Sequence, residues 1–302
     1  MLDLGAIEGF RWIPNGQSSF SGNLLALYHA LDRMFLSWAA ETDAVEHRFP
    51  TFIQASELEK LDYFRSFPHL VTFPAALAPE EENLKAFVAD HGRAGEIHPT
   101  KLQKICDCLT PAACYHFYIT YQGQSFDRPK YLTTLATCYR RESHYLPLQR
   151  QWAFGMREIV CIGTSDEVKA FLERYRAKAT DFFARVGLPI AWAQATDPFF
   201  NARSNPKYLA QKLDPVKHEM IYRDASLNQK DPGCSIGSVN FHRNYFGEAF
   251  KLTREGAEAY TGCIAFGMER WIYAILSQFG TDPSRWPTEL RAGARVIEGV
   301  KP

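Results

Sequence analysis

The sequence lacks several patterns that would assign a function at once. It contains neither the G-x-G-x-x-G nor the G-x-x-x-x-G-K-S/T phosphate cradle, so any bound nucleotide must be held in another way. It has no excess of charge, because 34 basic residues balance 34 acidic ones, and this disfavours DNA or bulk tRNA binding through a basic face. No apolar run reaches the length of a membrane span, and the N-terminus has no basic segment followed by an apolar core. We therefore expect neither a membrane segment nor a secretion signal.

The cysteine pattern also excludes more than it assigns. There are seven cysteines, an odd number, and no C-x-x-C spacing. They resemble neither a disulfide framework nor a zinc finger, so we expect free thiols in a reducing cytoplasm. Each cysteine taken alone reads as a small buried hydrophobic residue. A metal site with three dispersed ligands stays open, since sequence spacing cannot reveal one.

A match to the nucleophile-elbow pattern G-x-S-x-G occurs at residues 233–237. That motif needs an acid and then a histidine further along the chain. His242 is the last histidine, and no acid precedes it after the motif. The triad order cannot be completed, so we discount a serine hydrolase.

Hydrophobic periodicity predicts an α+β fold. The apolar stripe that begins at Leu24 and ends at Trp38 predicts a helix from Ser21. Ser56 and Glu59 form a capping-box pair ahead of a short helix. Further helices are predicted from Pro79, from Ser165 to Val186, and over 205–213. Residues from Glu255 onwards are predicted to be helical, with the last strong helix over about 265–279 and ending at Gly280. Strands are predicted over 113–121, 131–139, 154–163, 189–196 and 218–223, with two more within 234–252.

Strands and helices do not alternate regularly in this prediction. An antiparallel sheet flanked by helices is therefore favoured over a doubly wound sheet. No linker, repeat or low-complexity tract divides the chain. We expect a single domain over 1–302, with a helical N-terminal portion at 1–60.

The stretch Cys138–Gly163 concentrates charges of both signs between apolar segments. Unpaired buried charges are costly, and arginine is suited to a bidentate grip on phosphate or carboxylate. The stretch is therefore either a solvated hairpin or an anion site. Its charged residues of interest are Arg140, Arg141, Arg150, Arg157, Glu142 and Glu158.

A second arginine in an apolar setting is Arg270, near the start of the last strong helix. Gly262 and Gly267 allow this region to approach a sheet or a ligand closely. Arg270 then needs an anion, unless it is an ordinary surface residue of an amphipathic helix.

Taken together, these segments resemble the core of the class II aminoacyl-tRNA synthetases. CYRRE at 138–142 and LQRQWAFGMREIV at 148–160 resemble the two strands of motif 2. GMERW at 267–271 resembles motif 3, and the segment 66–77 resembles motif 1, the dimer element, more loosely. The resemblance implies an antiparallel sheet flanked by helices.

Three residues are similar to the zinc ligands of the seryl-type branch with an active-site metal. Cys114 stands in LTPAACYHFY, Glu158 in REIVCIG, and Cys263 shortly before GMERW. Thiolate and carboxylate are suitable zinc ligands, and catalytic zinc keeps one position for substrate. The resemblance implies that Cys114, Glu158 and Cys263 hold Zn²⁺, which receives the amino group of an amino acid.

Short relatives of this branch without a tRNA-binding arm are amino acid:carrier protein ligases, and residues 60–280 resemble them. The resemblance implies a cytoplasmic homodimer that uses ATP with Mg²⁺ to make an aminoacyl-adenylate. Glycine or alanine would then pass to the phosphopantetheine thiol of a carrier protein. The length and neutral charge of the chain argue against tRNA as its partner.

The motif match also implies individual roles. Arg140 would contact the α-phosphate, and Arg150 and Arg270 the outer phosphates. Phe154 would stack on adenine, although a core phenylalanine is the alternative. Glu142 would face the adenine or the substrate amine, and Ser238 and Asn240 would line the substrate end.

Some positions are left without a role. Residues 233–242 contain no acid, so the Mg²⁺ ligand is unassigned. The segment 205–222 corresponds to a carrier-docking helix, and Lys207, Lys212 and Lys217 would suit an acidic partner. A solvated helix would show the same lysines. For Arg141 and Arg157 we predict a solvated face.

Three other functions compete with this interpretation. A seryl-tRNA synthetase core would charge tRNA, and a synthetase paralogue without activity would bind a metabolite or a partner. A metal-dependent hydrolase is more distant. The presence of Arg140, Arg270 and all three expected zinc ligands argues against a pure binding module.

Overall fold

The computed structural model describes residues 7–201, 206–223 and 233–291. The strands are β1 (Phe10–Ile13), β2 (Gln17–Phe20), β3 (Val45–Glu46), β4 (Phe52–Gln54), β5 (Asp107–Leu109), β6 (Ser125–Phe126), β7 (Lys130–Tyr139), β8 (Ala153–Gly163), β9 (Ile190–Ala195), β10 (Lys217–Tyr222), β11 (Cys234–Arg243), β12 (Thr253–Arg254), β13 (Ala257–Glu258) and β14 (Tyr260–Gly267). The helices are α1 (Gly22–Ala40), α2 (Ala55–Lys60), α3 (Tyr63–Ser66), α4 (Glu81–Ala89), α5 (Tyr115–Thr120), α6 (Ser165–Val186), α7 (Pro206–Leu213), α8 (Tyr245–Phe250), α9 (Met268–Phe279) and α10 (Thr288–Arg291).

A seven-stranded sheet organises the molecule, in the order β3-β7-β8-β14-β11-β10-β9. All its neighbouring strands are antiparallel except the short edge pair of β3 and β7. The motif-2 strands β7 and β8 pair directly, with Cys138 opposite Phe154. The predicted α+β antiparallel core is confirmed.

The two faces of the sheet carry separate hydrophobic cores because strand side chains alternate. Ile159 and Cys161 of β8 point into the core beneath α1, α6 and α9. Val160 and Ile162 point to the other face, where α5 and α8 pack. The cavity described below opens on the α5 side, in line with Glu158, which shares the face of Val160.

The long helices form where the sequence pattern is strongest. The predicted stripe from Leu24 to Trp38 lies on α1, and Phe35 of this helix stacks on Phe266 with ring centroids 3.9 Å apart. Helix α6 ends at Gly187 as predicted, with φ of 71°. Its N-cap is Thr164, one residue earlier than predicted, and Thr164 forms a capping box with Glu167.

Several local predictions are wrong. Residues 113–121 contain helix α5 instead of a strand, and the second strand predicted within 234–252 is helix α8. Residues from Glu255 to Gly267 contain β13 and β14 instead of the predicted helical start. The last strong helix, predicted over about 265–279, is present as α9. The helix near Ser56 is present as α2, but no side chain caps it. Short aromatic-rich segments fit strand and buried helix equally well, and tertiary packing decides between them.

The N-terminal and lysine-rich portions also differ from prediction. The described part of 1–60 includes the hairpin of β1 and β2 as well as α1. The helix predicted over 205–213 and the strand predicted over 218–223 are present as α7 and β10. The segment 205–222 is therefore not the single docking helix that the resemblance implies. The predicted helix cap at Asn205 lies outside the described residues.

The cysteines and the G-x-S-x-G match can also be compared with the structure. All seven cysteines lie in described segments and are free thiols. Residues 234–237 lie within strand β11, whereas a nucleophile elbow requires a turn between a strand and a helix. Within the described residues, no helix combines the length and apolar character needed to cross a bilayer.

Candidate active site

A cavity of about 440 Å³ lies over the sheet and between α5, α7 and the start of α9. It is referred to below as the central cavity. Its lining includes all the predicted site residues except Arg150: Cys114, Arg140, Glu142, Phe154, Glu158, Ser238, Asn240, Cys263 and Arg270. These residues come from distant parts of the chain, and the sheet brings them together.

Cys114, Glu158 and Cys263 form a buried triad at the floor of the central cavity. Their ligand atoms all lie within 4.8 Å of one another. Cys114 immediately precedes α5, whereas Glu158 and Cys263 lie on the adjacent strands β8 and β14. Glu158 Oε2 is buried and has no hydrogen-bond partner among the described residues. A buried carboxylate oxygen without a partner is costly unless a ligand satisfies it.

The electrostatics of the triad favour a cation. The thiol–thiol contact with Cys263, together with burial, raises the pKa of Cys114 well above its ordinary value. Burial raises the pKa of Glu158. For Cys263 the contact with Cys114 lowers the pKa, but burial and the nearby Glu158 outweigh it, and the pKa of this thiol is also raised. Three anions in one buried site would repel each other, so the metal-free triad retains protons. A divalent cation would release those protons and neutralise the charge.

Two arginines face the cavity with no acidic partner. Arg140 Nε donates to Pro111 O at 2.9 Å. Arg270 Nε donates to Gln149 O at 2.7 Å and its Nη1 to Ser235 O at 2.8 Å. Across residues 7–201, 206–223 and 233–291, no carboxylate lies within 4.0 Å of either guanidinium. Backbone carbonyls orient these side chains without neutralising their charge, so both can receive an anion.

Phe154 and Glu142 complete the upper part of the site. The Arg140 guanidinium lies 5.2 Å from the centroid of the Phe154 ring, a cation–π contact. Phe154 is half-buried and lines the cavity, so it is not an ordinary core residue. Glu142 accepts from Arg150 Nη1 at 2.9 Å, and Arg150 reaches the site only through this ion pair.

Ser238 and Asn240 lie on β11 and face the cavity from the other side of the triad. Asn240 Nδ2 donates to Ser238 Oγ at 3.0 Å and contacts Cys263 Sγ at 3.3 Å. Both residues therefore line the part of the cavity that adjoins the metal-binding triad.

Comparison with known proteins agrees with this geometry. Residues 107–279 match the family model of the tRNA synthetase class II core domain (G, H, P, S and T). The chain is 34% identical over 261 residues to amino acid–acyl-carrier-protein ligase 1 of Bradyrhizobium diazoefficiens, covering 83% of this chain and 76% of the relative. It is 32% identical to ligase 2 of the same organism, covering 81% of this chain and 72% of that relative.

The chain belongs to the amino acid–acyl-carrier-protein ligase family, within the class II synthetases.

More distant relatives share the fold. The type-2 serine–tRNA ligase of Methanocaldococcus jannaschii is 24% identical, and the match covers 92% of this chain but 56% of that protein. The crystal structure of M. kandleri SerRS in complex with A. aeolicus tRNASec superposes with a TM-score of 0.80 at 20% identity, covering 96% of this chain and 58% of that one.

Two arginines that the family resemblance left without a role occupy different environments. Arg157 is 1% exposed and pairs with Asp32 at 2.7 Å and with Glu46 at 2.8 Å, so the solvated face predicted for it is wrong. It ties α1 and β3 to the central strand β8. Arg141 is exposed and lies over the rings of Tyr145 and Trp152, which agrees with a solvated face.

The three lysines assigned to carrier docking also separate. Lys217 lies on β10, lines the cavity and pairs with Asp197 at 3.2 Å and Glu219 at 3.4 Å. Its ammonium group is paired with two carboxylates in the central cavity, and it lies on a strand. Its predicted place on a docking helix is therefore wrong. Lys207 and Lys212 are on α7, and Lys212 is exposed.

Several residues of the site were not singled out from the sequence. Asp197, Glu219 and His242 line the cavity, and Glu219 lies directly opposite Ser238 in the strand pairing. Glu269 is buried beside Arg270, and burial raises its pKa to about 7. The sequence does not identify these residues as part of a site, because only the order of the strands in the sheet shows which charged side chains come together.

Proposed function

We propose that this protein uses ATP to activate an amino acid as an aminoacyl-adenylate and transfers it to the phosphopantetheine thiol of a carrier protein. The supporting observation is that Arg140 and Arg270, without acidic partners, share one cavity with the Cys114–Glu158–Cys263 triad. A polyphosphate and a metal-bound amine can therefore lie side by side. The B. diazoefficiens relatives, named as amino acid–acyl-carrier-protein ligases, support the same reaction.

The triad fits Zn²⁺. Two thiolates held about 2.3 Å from a tetrahedral zinc lie about 3.8 Å apart, which the observed cluster can accommodate. The partnerless oxygen of Glu158 provides a third ligand. When bound, the metal would supply a Lewis-acid position for the unprotonated amine of the substrate. Cys114, Glu158 and Cys263 would thereby orient the amino acid with its carboxylate towards Arg140.

The nucleotide end would be formed by the motif-2 and motif-3 residues. Arg140 would hold the α-phosphate and stabilise the charge that develops as the substrate carboxylate attacks. Arg270 would bind the outer phosphates. Arg150 would contact the same phosphates while it remains paired with Glu142. Phe154 would stack on the adenine, and Glu142 would face the adenine or the amine. ATP would enter with Mg²⁺, whose ligands in this chain we leave unassigned.

A small amino acid, glycine or alanine, suits the surroundings of the triad. The rings of His242, Tyr245 and Phe246 line that side of the cavity. Phe246 also stacks on buried Tyr118 with ring centroids 4.1 Å apart. A large substrate side chain would have to displace packed rings, whereas hydrogen or methyl would not.

The partners follow from the proposed reaction. Lys212 on α7 is exposed and suits an acidic carrier protein. Lys207 is 3.0 Å from Asp62 and would contribute if it exchanged this carboxylate for one of the carrier protein. We also propose a homodimer, as the class II resemblance implies.

ATP–pyrophosphate exchange with a panel of amino acids tests this function. We expect exchange with glycine or alanine and little with larger amino acids. Absence of exchange with every amino acid would overturn the proposal. If exchange occurs, labelled amino acid should appear on holo carrier protein and remain absent from tRNA. Transfer to tRNA instead would favour a seryl-tRNA synthetase activity.

A further inference from the structure

His242 lies directly behind one ligand of the triad. Its Nε2 is 3.7 Å from Cys263 Sγ, within hydrogen-bond range for sulfur. Asn240 Nδ2 approaches the same sulfur at 3.3 Å. Cys114 differs, because its hydrogen-bond partners are Cys263 and Glu158. The two nitrogen donors are therefore directed at a single thiol of the triad.

Two hydroxyl groups contact the other ring nitrogen of His242. Nδ1 lies 3.1 Å from Thr261 Oγ1 and 3.3 Å from Tyr118 Oη. Both hydroxyls can donate to an imidazole nitrogen that has no hydrogen. When Nδ1 accepts such a bond, the proton resides on Nε2 and points at Cys263. His242 also packs edge-on against Phe246, which restricts rotation of its ring.

We propose that His242 is a positioning residue that donates its Nε2–H to the Cys263 thiolate and, together with Asn240, weakens the electron donation of that ligand to a bound metal. This inference rests on the metal site of the proposed function. Residues that contact metal ligands in this way orient them and tune the metal.

The arrangement has a chemical purpose. Two thiolates and one carboxylate carry three negative charges, one more than Zn²⁺ neutralises. Such a donor set reduces the ability of the metal to accept a neutral amine. Hydrogen bonds from His242 and Asn240 spread the charge of Cys263 and keep the metal a sufficient Lewis acid for the substrate.

Cobalt substitution tests the proposal without an activity measurement. In the Co²⁺-loaded protein, the sulfur-to-cobalt charge-transfer band reports how strongly the thiolates donate. His242→Phe removes the N–H and should move this band to lower energy, while His242→Gln keeps an N–H near the same place and should restore it. The hydrogen bond also orients Cys263 for the metal, and we expect loss of this orientation to outweigh the stronger donation of the freed thiolate. His242→Phe should therefore bind zinc about 10-fold more weakly in a chelator competition.

His47→Phe is the matched control, because this histidine contacts Phe49 and Tyr121 and not the triad. It should leave both the band and the zinc affinity unchanged. An unshifted band in folded His242→Phe protein, with zinc affinity as in the wild type, would overturn the inference. A wild-type protein with no thiolate–cobalt band would overturn the metal site and the inference together.

A second measurement requires no variant. Nitrogen-15 NMR of the zinc-loaded wild type distinguishes the protonated from the unprotonated ring nitrogen of His242. We expect the proton on Nε2. A proton on Nδ1 would refute the proposal even if His242→Phe failed to fold.

Discussion

Both carboxylate oxygens of Glu269 accept from the backbone N–H of Gly155, each at 2.9 Å. This bond joins the start of α9 to the start of β8. It fixes Arg270 relative to Phe154, because Arg270 is adjacent to Glu269 in the chain and Phe154 is adjacent to Gly155. A Cβ at Gly155 would lie 2.2 Å from Tyr28 Oη, so any larger residue here would force the Tyr28 side chain to move. A buried carboxylate thus positions two residues of the proposed ATP site.

The buried Glu269 predicts a pH-dependent stability. Its pKa rises from 4.5 to about 7 because burial disfavours the charged form. The folded state therefore retains a proton between pH 4.5 and 7 that the unfolded state has lost. As pH rises through this range, the free energy of unfolding should fall by about 3 kcal/mol relative to Glu269→Gln. Urea denaturation of both proteins at pH 4.5 and 7.5 measures the difference. An equal change in unfolding free energy between the two pH values in wild type and variant would contradict the prediction.

The triad predicts the zinc content of single variants. Cys114→Ala, Glu158→Ala and Cys263→Ala should each reduce bound zinc more than about tenfold after dialysis, because each removes one ligand. Cys161→Ala is a matched control, since this buried free cysteine faces the opposite core. Elemental analysis provides the measurement. Equal zinc in all four variants would refute the site.

Zinc affinity should increase with pH. The pKa values of Cys114, Glu158 and Cys263 are raised in the metal-free protein, so binding must release protons. Between pH 6 and 8, the affinity should rise by about 10- to 100-fold per pH unit, according to whether one or two protons leave. Chelator competition across this range measures the slope. A flat profile would show that the ligands are already ionised without metal.

Neighbouring arginines in the motif-2 hairpin should behave differently. Arg140 faces the cavity without an acidic partner, whereas Arg141 is exposed and lies over aromatic rings. Arg140→Ala should lower the rate of ATP–pyrophosphate exchange about 10²- to 10³-fold, the cost of losing one group that stabilises developing charge. Arg141→Ala should retain a nearly wild-type rate. Equal losses in both variants would remove Arg140 from its proposed role.

Arg157 predicts a stability effect at a distance from catalysis. Arg157 is buried, but Asp32 and Glu46 are 20% and 49% exposed and can regain part of their hydration, so Arg157→Ala should cost about 2 kcal/mol of unfolding free energy. Arg185, which pairs with Glu289 at the surface, is the control, and Arg185→Ala should cost less than about 1 kcal/mol. Chemical denaturation compares the two. Similar small losses would mean that Asp32 and Glu46 regain water without penalty.

The predictability of the fold depended on element length. Helices α1 and α6 follow from sequence because their apolar residues repeat over four turns or more, and the terminator Gly187 is a local signal. Short elements were less predictable. Residues 115–120 carry aromatic side chains that suit a strand, yet they form α5, where Phe117 and Tyr118 are fully buried. Their packing against α8 outweighs the local preference for a strand.

The sequence by itself determined the fold class, the long helices and the identity of the motif-bearing residues. Cys114, Glu158 and Cys263 could be named from their motifs because those motifs are local in sequence. Only the tertiary structure decided that their ligand atoms lie within 4.8 Å of one another and that Arg157 is buried. Strand order and register create these neighbours, and both depend on pairings between residues far apart in the chain. The arrangement of His242 behind Cys263 is of the same kind, since no local pattern records it.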